Sequence, residues 1–539
     1  MKFFNRMSNT PKIIGNFSAA RLAFFVLAVL AFAGLAAPRV SAQASNVYIT
    51  PDGGGSGVCT SNTHTPSWFN SSANWGTGAS QIGAGTTVHL CGTIGTSLMA
   101  NGSGASGKPI TILFEPGAKI SMPYCTAKGC LDISNHSWIT VDGGVPCGPS
   151  VVKSSCNGTI ESTSNGTNLA NHQVTVRAIY ADSSNNIEIR NLLIQNMYVH
   201  ASVSDVTPSI PDPSGIRVDG TASNVSIHDT TLHDMLWCIT AVGGGIQNNF
   251  KIYNNDIYNT DHSIAIGVVS QTDDSFDIHD NHIHDSANWD TSANMYHHDG
   301  IHAYQTSGGR ITNLNIYNNL FDGAWGKNNT AMIYNEGVAH TETVYNNVFI
   351  GTSGNLNNGA MCLTVGSNGT LRAYNNTVVG GSQQSAALVK LQGASVQYKN
   401  NVVTGSPALM SLPSGVVFAS GGINNNIWGG SGSVFYICGS SCSFIDFTAW
   451  KSYLPSGSGQ DSQSKLTTTV NLSGSGVPQS GSAIAGAGLN LANLSIQPLL
   501  ADKLGNSRSS SGAWDAGAYS LGGVSAAPNP PTGLSAIIN

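Results

Sequence analysis

Along residues 177–430 apolar and polar positions alternate in short bursts, and the bursts come back. SGIRVDG from Ser214, WCITAVG from Trp237, HSIAIGV from His262, DGIHAYQ from Asp299 and AMIYNEG from Ala331 put Ile, Val or Ala on alternate residues. That is the period of a strand with one face buried. Some ten residues later a second phrase follows: KIYNND from Lys251, DIHDNH from Asp277, NIYNNL from Asn315, TVYNNV from Thr343. Aligned on it, Asn191, Asp229, Asn254, Asp280, Asn318, Asn346, Asn375, Asn400 and Asn425 share one position, at steps of 25 to 38 residues.

A unit of about 25 residues with fixed internal chemistry is one supersecondary element stacked on copies of itself. The expectation is an all-β chain: a single right-handed parallel β-helix, with stacks of Ile, Val and Leu inside and little helix. Ile216 and Val218 should point in and Arg217 out. The Asn column should lie in a buried turn, its amides bonding to one another and to the backbone. Regular rungs span 177–430, preceded by irregular rungs in 43–176 and followed by C-terminal rungs and a capping segment in 431–525. Residues 526–539, APNPPTGLSAIIN with the preceding Ala526, read as a Pro-rich linker stub.

Composition narrows the setting. Charged residues are only 9% and apolar residues 40%, which argues against disorder. Residues 1–42 carry Lys2, Arg6, Lys12 and Arg21 before an apolar run from Leu22 to Ala37, with small residues after it, the pattern of a secretory signal. Cleavage would remove five basic residues and take the net charge from −6 to −11. So acidic a chain suggests no nucleic-acid partner, no stable membrane insertion once the signal is gone, and a monomer outside the cell. Export permits disulfides. The cysteines fall into local couples, Cys59 with Cys91, Cys125 with Cys130, Cys147 with Cys156 and Cys438 with Cys442, leaving Cys238 and Cys362 as buried thiols.

With this repeat the chain resembles the right-handed parallel β-helix, pectate-lyase-like superfamily. The stretch from Ala483 to Ser520 is similar to the closing segment of secreted bacterial members, with Asp502, Gly505 and Arg508 and then Asp515, Gly517, Ala518 and Tyr519 matching Asp-x-x-Gly-x-x-Arg and Asp-x-Gly-Ala-Tyr. The resemblance implies that this segment caps the open end of the solenoid, and that a groove along the outer face of the first strands takes a polysaccharide.

Two 38-residue steps place extra residues near 195–213 and 285–298, both just before a first strand. Those loops, holding Tyr198, Trp289 and Tyr296, would wall a groove whose floor reads Arg217, Thr240, Ala265 and His302. Asp219 and Tyr304 flank that row, His262 follows Asp261, His298 precedes Asp299, and Trp237 and Trp325 lie near by. Such a set suits β-elimination on a uronate polymer. His302 is the candidate base, Arg217 the carboxylate neutraliser, and Asp299 and His262 complete the catalytic set. Asp219, His298, Tyr304, Trp289, Tyr296 and Trp237 would bind substrate, and Asp261 with Asp299 could orient an imidazole or hold Ca²⁺, the one cofactor considered. A glycoside hydrolase pairing Asp219 with Asp299 or Asp261, and a non-catalytic carbohydrate-binding protein, stay open as alternatives. Of the polygalacturonase signatures, Gly-His-Gly and Arg-Ile-Lys are absent.

Overall fold

A computed structural model describes residues 44–521 apart from 56, 165–174, 198–212, 287–297, 326–328, 352–359, 381–386, 392–394, 413–420, 439–440 and 454–459. Each regular rung supplies three strand segments, as in His298–Gln305, Arg310–Tyr317 and Leu320–Asp322, then Asn329–Asn335, Ala339–Tyr345 and Val348–Ile350 one rung on. Like segments pair in parallel and in register. Ile216, Ile239, Ile264, Ile301, Ile333 and Met361 form one inward column, each 0 or 1% exposed. The chain is therefore a parallel β-helix solenoid. Helix is confined, among the described residues, to short pieces such as Pro66–Phe69 and Phe447–Tyr453, and no described helix is long and apolar enough to cross a membrane.

The NN phrase does two jobs, one per residue. The first residue is the turn: Asn191, Asp229, Asn254, Asp280, Asn318, Asn346, Asn375, Asn400 and Asn425 all have φ between 51° and 63°, a left-handed conformation that Asn and Asp tolerate best after Gly. The buried amide ladder lies one residue further on, a correction to the expected column. Asn255, Asn281, Asn319, Asn347, Asn376, Asn401 and Asn426 are all 0 or 1% exposed. Asn319 shows the pattern: its Nδ2 donates to Ile278 O and to Asn347 Oδ1, both at 3.0 Å. Its Oδ1 accepts from the backbone and side-chain amides of Asn281, again at 3.0 Å. Every amide thus satisfies a backbone carbonyl that the turn buries.

The second correction concerns the closing segment. The last rung is covered by a hairpin, Ser433–Cys438 antiparallel to Cys442–Asp446, and by the helix Phe447–Tyr453, whose buried Trp450 stacks on Phe435 at 4.5 Å. Residues 483–520 instead run back along the flank of the solenoid. First-position asparagines hold them: Asn346 donates to Ala501 O at 2.9 Å, Asn375 to Gly517 O at 3.1 Å, Asn400 to Leu489 O at 2.8 Å and Asn425 to Ala487 O at 3.2 Å. Arg508 reaches Asn346 Oδ1 at 2.9 Å, while Leu491, Leu499 and Trp514 pack on Tyr345 and Tyr374. The segment seals a lateral face rather than an edge.

The four disulfides join the expected cysteine couples, 59–91, 125–130, 147–156 and 438–442, and Cys238 and Cys362 are buried thiols. The candidate signal and the linker stub lie outside the described residues.

Candidate functional site

The site forms where one strand serves two sheets. Asp256–Val268 pairs with His282–His284 through its first residues and with His298–Gln305 through its last. Between them the chain turns a corner on left-handed residues, Asn196, Asp234, Asn259 and Asp285 in successive rungs, with φ from 46° to 64°. Beyond the corner the strand register is irregular at His298 and Asp299, and Asp299 and His302, three residues apart, bring their side chains together.

Two columns meet just past that corner. One reads Ser214, Trp237, His262, Asp299, Ala331, and the other Arg217, Thr240, Ala265, His302, Tyr334. Their side chains build an alternating line of imidazoles and carboxylates. His298 Nδ1 contacts Asp261 Oδ1, Asp261 Oδ2 lies 2.6 Å from His262 Nδ1, and His262 Nε2 lies 3.5 Å from Asp299 Oδ2. The same Asp299 oxygen is 3.6 Å from His302 Nδ1, and His302 Nε2 is 2.8 Å from Glu336 Oε1. The first five side chains are 0 to 7% exposed, whereas Glu336 is 38% exposed. Burial alone would raise the Asp261 carboxyl, but the charges of His298 and His262 outweigh it and hold it well below the usual carboxylate range. Rings frame the line. Trp237 lies 4.9 Å from His262, Tyr304 4.9 Å from His302, and Tyr334 stacks on His302 at 5.1 Å.

The structure therefore gathers His262, His298, Asp299, His302, Asp261, Trp237 and Tyr304 in one place. It does not gather Arg217 and Asp219 with them. Arg217 shares the His302 column but stands three strand steps away, about 14 Å at the usual strand spacing. Its Nε is held by both oxygens of Asp219 at 2.9 Å, with Tyr180 Oη donating to the same carboxylate at 3.1 Å. Asp261 and His298 are too enclosed to touch a polymer, and Trp325 is 2% exposed in the core beside Phe321. Calcium does not suit Asp261 and Asp299: it takes about six to eight oxygen ligands, and here imidazole nitrogens crowd both carboxylates. Tyr198, Trp289 and Tyr296 lie outside the described residues.

Glu336 and Tyr334 are not among the site residues expected from the sequence. Both belong to AMIYNEG, the strand one rung past DGIHAYQ, and the repeat register points to them. Arg310 was also passed over. It lines a recess of about 190 Å³ with Gln305, Gly337 and His340, the residues just beyond Tyr304 and Glu336 in the chain.

No family model matches this chain, and no curated protein matches it. Among solved structures it is similar to a GH136 lacto-N-biosidase from Eubacterium ramulus, determined as a selenomethionine derivative. The TM-score is 0.36 at 12% identity, over 69% of this chain and 64% of the length of that one.

Proposed function

We propose that this chain is a secreted enzyme that cleaves a uronate-containing polysaccharide by β-elimination, in the groove where His302 meets Glu336. The observation that carries the reading is the 2.8 Å contact between His302 Nε2 and Glu336, a carboxylate at the solvent boundary backed by an enclosed imidazole. β-Elimination needs one base for the proton on the carbon next to the uronate carboxylate. It also needs one acid for the glycosidic oxygen that leaves as the double bond forms. The Glu336–His302 pair is suited to take the proton. Burial, with Glu336 near by, pushes the Tyr334 hydroxyl up to about 12, so that phenol keeps its proton and can give it to the leaving oxygen. Arg310, in the recess beyond Tyr304 and Glu336, is a candidate for the carboxylate-neutralising role first expected of Arg217.

Two-carboxylate hydrolysis is less well supported. Asp219 is clamped by Arg217 and Tyr180, Asp261 lies between two histidines, and Asp299 is wholly enclosed. Glu336, by contrast, stands at the solvent boundary with an imidazole behind it. The four disulfides and the export-like first 42 residues favour an extracellular setting.

Incubation with a panel of uronic-acid and neutral polysaccharides tests the proposal. New ultraviolet absorbance of unsaturated uronate ends is expected, and Glu336→Gln should lower kcat about 10²- to 10⁴-fold with little change in KM. New reducing ends without that chromophore would mean hydrolysis and overturn it.

A further inference from the structure

We infer that His262 Nε2, Asp299 Oδ2 and His302 Nδ1 form a binding site for a borderline divalent cation of the zinc class. One ligand atom from each of the three residues lies within 4.8 Å of the other two, and all three residues are buried. Two of the edges are 3.5 and 3.6 Å. Those lengths exceed the range of a hydrogen bond between nitrogen and oxygen, about 2.7–3.2 Å. They match the edge of a tetrahedron of ligands at about 2.0–2.1 Å from a metal, which is about 3.4 Å.

A second feature points the same way. A ligating histidine usually has its other ring nitrogen held by a carboxylate, which sets its tautomer and strengthens it as a donor. Here the outward nitrogen of each ring is so held: His262 Nδ1 by Asp261 at 2.6 Å, and His302 Nε2 by Glu336 at 2.8 Å. The donor set of two imidazoles and one carboxylate favours zinc-class ions over calcium or magnesium.

The molecule contains its own contrast. Asp256, His282 and His284 also group within 4.8 Å, but there both imidazole nitrogens sit 3.2 Å from one Asp256 oxygen. His282 and His284 are further held by Asp322 and Asp285, each at 2.8 Å. Outer carboxylates are therefore common to both clusters, and the edges separate them: 3.2 Å is a hydrogen-bond length, whereas 3.5 and 3.6 Å fit a shared cation.

The binding site stands on geometry alone; a role for the ion rests on the β-elimination reading. A cation beside His302 would supply positive charge toward the substrate carboxylate that Arg217, some three rungs off and ion-paired, does not. His302 would then be a ligand through Nδ1, and Glu336 the end of the pair that takes the proton.

The test is calorimetric titration of the full chain, stripped with chelator, with ZnCl₂ and separately with CaCl₂. One equivalent of zinc should bind, with calcium at least 100-fold weaker. Asp299→Asn and His262→Gln should each weaken zinc by at least 100-fold. Asp261→Asn should weaken it about 10- to 100-fold through His262, while His282→Gln should leave it within about twofold. Circular dichroism checks that the variants are folded. Cobalt substitution of the wild-type chain, read by its visible absorption, gives a variant-free measure: an intense tetrahedral spectrum is expected. No zinc uptake by the wild type, or uptake lost in His282→Gln and kept in Asp299→Asn, overturns the site. Zinc binding without unsaturated products would leave the site standing and remove the lyase reading. Undiminished product formation by zinc-free protein would remove the ion's catalytic role alone.

Discussion

Two columns of the same solenoid obey opposite rules. From Asn255 to Asn426 seven rungs repeat one residue; each amide bonds to a carbonyl of the rung before, and those from Asn255 to Asn401 also bond to the next asparagine. Across the corner, Trp237, His262, Asp299 and Ala331 share a column in which no two residues are alike. A solenoid is stabilised by sameness between neighbours, so a column that gives up sameness has been shaped by something other than stacking. Repetition marks scaffold here, and its loss marks the candidate site.

The comparison is broken most severely by attacking the ladder. Asn319→Asp keeps the shape and the acceptor but removes the donations to Ile278 O and Asn347 Oδ1 in a site that is 0% exposed. Each stranded partner costs about 1–3 kcal/mol, and a buried carboxylate adds to that. A loss of about 3 kcal/mol or more is expected, seen as a lower midpoint in chemical unfolding. A change below about 1 kcal/mol would mean that the ladder is not what holds the turns.

A core column contains one outlier of its own. Phe276, Leu314, Glu342, Leu371 and Val396 are in register, and Glu342 is 0% exposed among them. Burial pushes its carboxyl up to about 8. Because the folded pKa lies above the unfolded value, Glu342 contributes fully below about pH 4.3 and loses its contribution as pH rises towards 8. The slope is about 1.4 kcal/mol per pH unit within that window, a few kcal/mol in all. Glu342→Gln, neutral at every pH, should flatten the dependence. Denaturant midpoints of both proteins from pH 4 to 8 decide the matter; parallel curves would refute it.

How much of this was legible follows from the chemistry of the NN phrase. Its recurrence predicts rungs, parallel strands and inward aliphatics, and the strand registers agree. The phase of the buried amide was read one residue early because a left-handed turn residue interrupts the two-residue alternation on which facing is judged. A signal was present: Asp229 and Asp280 occupy the first position, and a carboxylate cannot donate, so a donating ladder belongs to the second. Asn346, Asn375, Asn400 and Asn425 keep their amides for another reason, the closing segment they bind. That docking was not readable, since Arg508 and Asn346 are 162 residues apart. The outward row of Arg217 and His302 was right as a column. Its reach was not, because a strand step is about 4.8 Å whatever the side chains are, and Asp219 lies within reach of Arg217 on its own strand.

The gentlest test concerns the other repetitive column, the ring stack His228, Tyr253, His279, Tyr317 and Tyr345. Neighbouring centroids are 4.5 to 4.9 Å apart and nearly parallel. It contains histidines, as the site does, yet its rings repeat and its flank packs the closing segment. It should therefore behave as scaffold. Tyr317→Leu removes two stacked contacts, at 4.6 and 4.8 Å, each worth about 0.5–1.5 kcal/mol beyond buried area. A loss of about 1–3 kcal/mol is expected in denaturant unfolding, with zinc affinity and turnover unchanged. If turnover fell while stability held, substrate would have to run over the stack, and repetition would no longer separate scaffold from site.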